Sequence, residues 1–245
     1  MRSINVKLQK TFCGGSLISR NFVLTAAHCI DDFESIFKAD FGSHVQLSFG
    51  TNDCSGNSAR ISRHPKRIIK HEGFGKGWKY VSDIALIELD SPIEYPADKS
   101  IVPICIMDNA FNHKKYFEGK RKVDTTYGRA AGCGNSNNSP LKEVMIPYIS
   151  QEDCEESFIK SGISLAVTNV TFCAGFTIPR VGDVCEGDSG GALVMADETR
   201  WIQTGIVSSG KRCDRGHPSY FTNVGMFYDW IDKITNFSDE EVMLL

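Results

Sequence analysis

Three segments concentrate the residues able to do chemistry: LTAAHC at 24–29, SDIALIEL at 82–89 and CEGDSGGALV at 185–194. Each offers one member of a nucleophilic relay. A serine hydroxyl is a poor nucleophile at neutral pH. It needs a base to take its proton, and the base needs an acceptor that fixes its tautomer. His28, Asp83 and Ser189 supply base, acceptor and alcohol, in that chain order. Gly187–Gly191 also satisfies G-x-S-x-G, the pattern of a nucleophile elbow. That arrangement needs its acid and histidine after the serine, together with strand–helix units; only 56 residues follow Ser189 (245 − 189), and the strand–helix units are missing.

Other chemistries find little support. No Cys/His set has zinc spacing, and no glycine-rich segment carries the pattern of a phosphate cradle. His44, His64, His71, His113 and His217 stand in no distinctive context and read as solvated or core residues. The basic run HPKRIIKH (64–71) reads as a solvated loop and strand, with an exosite for an acidic partner as the alternative. A net charge of −3 gives no pull toward nucleic acid or an anionic membrane.

The elements that must position these groups are short. HVQLSF (44–49), DIALIEL (83–89), EVMIPYI (143–149) and WIQTGIVSS (201–209) are β-branched or apolar runs separated by turn formers. This is the pattern of an all-β sandwich or barrel. GTNDCSGNSAR (50–60) and GCGNSNNSP (132–140) read as loops. Val224, Phe227, Trp230, Ile231 and Ile234 fall near helical spacing and predict a C-terminal amphipathic helix. The polar stretch 108–125 marks a soft boundary. With 41% hydrophobic and 10% aromatic residues, 245 residues can fill a real core.

Nine cysteines are many for a reducing compartment, and the odd number leaves at least one free or bonded outside the chain. With the sequons at Asn137, Asn169 and Asn236, they favour a secretory route. No apolar run approaches the roughly 20 residues of a membrane helix. The opening MRSINVKLQKTF has no apolar core and does not read as a signal peptide.

The three catalytic segments and their order resemble the chymotrypsin/trypsin-like serine peptidases, from Cys13 to the terminal helix. The resemblance implies two packed six-stranded antiparallel β-barrels with the triad in the cleft between them. The N-terminal barrel would span 1–115, the C-terminal barrel 116–228 and the helix 229–240. It implies hydrolysis after Arg or Lys through an acyl-enzyme, without a cofactor or metal. Gly187 and Ser189 would supply the oxyanion-hole N–H groups, and such a donor is worth roughly 100–1000-fold in rate. Ser208 would support Asp83 and line the cleft, Ser209 and Gly210 would pair with an extended peptide, and Tyr80 would wall a subsite. Asp183 would lie at the base of the specificity pocket, where a carboxylate selects a cation. Cys13 would pair with Cys29, Cys154 with Cys173 and Cys185 with Cys213. Cys105 resembles the cysteine that tethers an upstream segment. The resemblance assigns no pairing to Cys54 and Cys133. The partners implied are protein or peptide substrates and serpin- or Kunitz-type inhibitors.

Several positions depart from the family pattern. Active members begin with an Ile-Val-Gly-Gly-like terminus more than twenty residues before the cysteine matched by Cys13, whereas twelve residues precede it here. The freed amino group would pair with Asp188. Without it, Asp188 is expected to be a buried charge lacking its partner, which costs a few kcal/mol or forces a zymogen-like rearrangement. The first barrel is therefore expected to be truncated at its N-terminus. Ser219 stands where Gly is usual and Val184 where a small Ser or Ala is usual, and Ser219 would narrow the pocket. Ser209 and Cys133 each replace a common Trp. The usual cystine joining the positions of Gly128 and Met195 is absent. The family's calcium loop needs paired acids, and 50–70 holds only Asp53. A non-catalytic homologue that binds partners through the same fold is the rival reading.

Overall fold

The computed structural model describes residues 2–6, 10–55, 57–77, 80–107, 126–134, 140–160, 162, 168–178, 183–197, 200–209 and 216–236. The first seven strands are β1 (Arg2–Val6), β2 (Lys10–Leu17), β3 (Phe22–Thr25), β4 (Val45–Phe49), β5 (Ile61–Arg63), β6 (Pro65–Lys70) and β7 (Ala85–Leu89). They lie in the order β5-β4-β1-β2-β3-β7-β6. Only His64 separates β5 from β6, so the two ends of this order meet in one stretch of chain. β1 pairs with β2 on one side and β4 on the other, and the sheet runs unbroken through it.

The second group is β8 (Cys105–Ile106), β9 (Tyr127–Gly132), β10 (Lys142–Ile149), β11 (Thr171–Ala174), β12 (Ala192–Asp197), β13 (Arg200–Ser209) and β14 (Ser219–Asn223). Six of them close into a barrel, because β12 pairs with both β9 and β13. β8 adds in parallel to the far edge of β13. The expected double barrel is the observed architecture, and full closure removes the exposed edges that antiparallel sheets must otherwise protect. The expected boundary at 108–125 lies outside the described residues.

Helices fill the gaps. α1 (Ala27–Phe37) and α2 (Phe41–His44) follow β3, α3 (Gln151–Lys160) follows β10, and α4 (Tyr228–Thr235) ends the described chain. The apolar set expected on one C-terminal helix is divided between two elements. Val224 and Phe227 belong to a 3-10 turn, Val224–Phe227, and only Trp230, Ile231 and Ile234 ride on α4. α4 stops at Asn236, whose left-handed φ of 47° breaks the helix. Val224, Phe227 and Ile231 are buried in the core cluster that also holds Phe33, Phe41, Leu47 and Leu86 of the first barrel. The C-terminal segment is thus a strap across the first barrel. Each large apolar side chain buried there contributes about 1.5–3 kcal/mol.

One histidine serves this strap. His71, just past β6, lies edge-on to the rings of Phe227 and Trp230 at 4.9 and 5.1 Å. Its Nδ1 accepts the Gly73 N–H at 3.0 Å, which requires an unprotonated Nδ1. Burial pushes its pKa below the ordinary 6.5, and nearby Lys76 adds to this while Glu72 opposes it. The unfolded chain therefore takes up a proton near pH 6.5 that the folded chain refuses. Stability falls as pH drops below that value. Thermal unfolding between pH 7 and pH 5 is expected to show a shallower decline in His71→Asn than in wild type. Parallel declines would assign the acid sensitivity to other groups.

Candidate active site

Strand register brings the first two site residues together. β3 and β7 pair antiparallel with Thr25 opposite Ala85. α1 starts immediately beyond β3 and carries His28 in its first turn. Asp83 lies two residues before Ala85, where a left-handed Ser82 (φ 52°) redirects the chain. Asp83 is 0% exposed and His28 6%.

The carboxylate holds the histidine at two points. His28 Nδ1 lies 2.7 Å from Asp83 Oδ2, and the His28 backbone N–H donates to Oδ1 at 2.8 Å. Since a carboxylate only accepts, Nδ1 carries the proton and Nε2 is left as the basic nitrogen. Ser208 Oγ donates to Oδ2 at 2.5 Å. A register shift between Val207 and Ser209 accompanies this inward turn of Ser208. Thr222 Oγ1 donates to the Asp83 carbonyl at 2.8 Å. The ring of Tyr80 stands edge-on to His28 at 5.6 Å. Three hydrogen bonds thus serve the buried carboxylate, which is what a buried charge requires, while Thr222 holds its backbone.

Ser189 is held against the same corner. Its carbonyl accepts the Gly14 N–H at 2.6 Å, and the next N–H, from Gly190, donates to Val207 at 2.8 Å. Gly190 has no room for a side chain, since a Cβ would lie 2.3 Å from Thr25 Oγ1 and 3.2 Å from Cys29 Sγ. Cys29 is bonded to Cys13, as the resemblance implied, and its sulfur lies 4.0 Å from His28 Nε2. The Cys13–Cys29 bridge therefore abuts both the base and the backbone beside Ser189. Cys13, His28 and Cys29 cluster closely enough to suggest a metal site. Both sulfurs are committed to their mutual bond, however, and neither can act as a thiolate ligand.

Gly187 takes φ 93°, a region that side chains avoid, and a Cβ there would meet the Gly134 carbonyl at 2.3 Å. Among the described residues, neither the Gly187 nor the Ser189 N–H donates a hydrogen bond. Asp188, between them, is buried. Its Oδ1 accepts the Gly134 N–H at 2.7 Å and its Oδ2 the Cys185 N–H at 2.8 Å. Burial raises its pKa, against the pull of these donors and of Lys142. No salt bridge to Asp188 occurs among the described residues.

Asp183 lies a short turn upstream, half-buried, and accepts the Val184 N–H at 2.8 Å. A Cβ on Gly175 would lie 3.3 Å from Asp183 Oδ2 and 3.3 Å from the Ser219 nitrogen. Asp183, Gly175 and buried Ser219 are therefore close neighbours. Val184 is buried in the second barrel's core, so its bulk is directed into packing. Ser209 pairs with Tyr220 at the end of β13. Gly210 and Cys213 lie outside the described residues; Cys185 is disulfide-bonded.

Cys154–Cys173 forms as the resemblance implied. Cys54–Cys133, which no sequence signal assigned, joins the loop after β4 to the end of β9. Cys105 is a half-buried free thiol. The basic run does not form an open positive patch. Lys66 and Arg67 share Glu88 at 2.6 and 2.8 Å, Lys70 meets Asp31 at 2.5 Å, and Arg63 binds the Ser91 and Pro92 carbonyls. Sequence reasoning missed Gly132 and Gly134 as the wall around Asp188. The signal available was the glycine pair flanking a cysteine in GCG.

The sequence is similar to known proteins over most of its length. A family model described as Trypsin matches residues 1–231. The clotting factor G beta subunit of Tachypleus tridentatus is 32% identical over 238 residues, covering 94% of this chain and 73% of that protein. The serine protease filzig of Drosophila melanogaster is 32% identical over 231 residues, covering 92% of this chain and 13% of that protein. The chain thus spans only a small part of filzig's length. No helix among the described residues is long and apolar enough to cross a membrane.

Proposed function

The chain belongs to the trypsin family of serine proteases, and on that premise we propose that it is an endopeptidase cleaving after Arg or Lys through an acyl-enzyme. The observation that carries this reading is the two-point grip of Asp83 on His28, which leaves Nε2 as the base. His28 takes the Ser189 proton as Oγ attacks the substrate carbonyl, then passes it to the leaving amine. The N–H groups of Gly187 and Ser189 receive the developing oxyanion. Water repeats the sequence to release the acid. Asp83 stays ionised and steadies the imidazolium.

Asp183 meets the substrate's cation at the base of the pocket, beside Gly175 and Ser219. Ser209 and Gly210 pair with the extended peptide. Serpin- and Kunitz-type inhibitors enter by the same cleft, Cys105 tethers an upstream segment, and the setting is extracellular. The barrels divide as 1–115 and 116–228, and the helix expected at 229–240 runs over Tyr228–Thr235 among the described residues.

A second reading is a non-catalytic partner-binding homologue, in which buried Asp188 is held by the backbone N–H groups of Gly134 and Cys185 as a structural acid. A fluorophosphonate probe separates the two. The proposed enzyme is expected to be labelled, with labelling abolished in Ser189→Ala. A folded wild-type protein that takes no label would support the binding module.

A further inference from the structure

The bond between Cys54 and Cys133 crosses from one barrel to the other. Cys54 belongs to the loop between β4 and β5, and Cys133 directly follows β9. Both are buried, at 1% and 4% exposure. Two further contacts run beside the bond. The Leu141 N–H donates to the Asn52 carbonyl at 2.6 Å, and Asp53 forms an antiparallel bridge with Pro140. The 52–54 segment is therefore fastened both to residue 133 and to residues 140–141.

The residues that Cys133 separates are the ones that wall Asp188 and Gly187. A Cβ on Gly132 would lie 1.9 Å from Asp188 Oδ1. The Gly134 N–H donates to that same oxygen at 2.7 Å, and the Gly134 carbonyl sits where a Gly187 Cβ would be, at 2.3 Å. Anything that shifts 132–134 by an ångström shifts both the donor to the acid and the surface behind Gly187. Cys133 is the covalent anchor of this three-residue wall, and its partner belongs to the opposite barrel.

We propose that Cys54–Cys133 is a positioning device for the oxyanion site, a cross-barrel clamp that holds Gly132–Gly134 against Asp188 and Gly187 so that the Gly187–Ser189 backbone keeps its donor geometry. This rests on the serine-protease reading above. The clamp touches no substrate atom. It acts through Gly134 on Asp188, and through Asp188 on its two neighbours. Its effect therefore belongs to the transition state, where the oxyanion forms, and not to ground-state binding.

The test compares wild type with Cys54→Ser/Cys133→Ser and with Cys54→Ala/Cys133→Val, the second pair keeping the buried site apolar. Steady-state kinetics on an arginine peptide amide and the rate of fluorophosphonate labelling are measured below each protein's unfolding midpoint. For both variants the expected result is a kcat lower by roughly 10- to 100-fold, a labelling rate reduced in parallel, and a KM within about threefold of wild type. Unchanged kcat with a lower unfolding midpoint would overturn the proposal and reduce the bond to a staple, leaving the protease reading intact. If neither variant folds, the bond is a requirement of the fold and the proposal is likewise overturned. A wild type that neither turns over substrate nor takes the label would instead remove the protease reading beneath it.

Discussion

Asp83→Asn is expected to lower kcat by about 10⁴-fold while leaving the fold intact. The carboxamide is nearly the same size as the acid, so the buried site, closed to solvent, still packs. What changes is donor and acceptor polarity. Asp83 receives the His28 backbone N–H on one oxygen and both His28 Nδ1 and Ser208 Oγ on the other. An amide has one acceptor oxygen and one NH₂ group. If its oxygen keeps the backbone N–H, its nitrogen faces Nδ1 and forces the proton to Nε2. The base then points a proton at Ser189 and cannot accept one. The check is kcat/KM on an arginine peptide amide, with unfolding midpoints measured alongside. A loss below tenfold in a folded variant would mean that His28 does not depend on Asp83 for its tautomer.

The second large effect concerns selectivity. Asp183→Ala is expected to reduce kcat/KM for Arg and Lys substrates by roughly 30- to several-thousand-fold, the range for removing one partner of a buried charge pair. Turnover of a Phe substrate is expected to change little. The basis is the placement of Asp183 beside Gly175 and Ser219, since a carboxylate at the proposed pocket base favours a cationic guest over an apolar one. A panel of peptide amides differing only in the residue before the cut reads this directly. Equal turnover of Arg and Phe substrates by the unmodified protein would refute the pocket assignment.

The strands that the sequence announced were those with dense β-branched runs. HVQLSF became β4, DIALIEL β7, EVMIPYI β10 and WIQTGIVSS β13. Their apolar content is local information, and pairing only confirms it. α1 was not legible. Its N-terminal flank is Ala26, which has no side-chain oxygen to cap the helix, and no acidic residue stands in its first turn. α3 did carry signals, with Glu152 and Asp153 in its first turn and Lys160 in its last.

Within the site, the residues named in advance were those set in distinctive segments: His28, Asp83, Ser189 and Ser208. The contacts left unread connect distant parts of the chain. Cys54 and Cys133 are 79 residues apart, and spacing alone does not determine which cysteines join. Gly134 reaches Asp188 across a gap of 54 residues through a backbone N–H, which every non-proline residue possesses. Only the three-dimensional path shows which one is used.

The strap formed by Val224, Phe227 and Ile231 has a consequence during synthesis. These side chains complete the core of a barrel whose strands leave the ribosome far earlier. A nascent chain lacking them has an open hydrophobic centre and an unfinished first half, the kind of state that chaperones shield. His28 and Asp83 are made early, but the core of the barrel that presents them stays open until the 224–231 segment has been synthesised. Translation order therefore separates the making of these two residues from the completion of the barrel that fixes them.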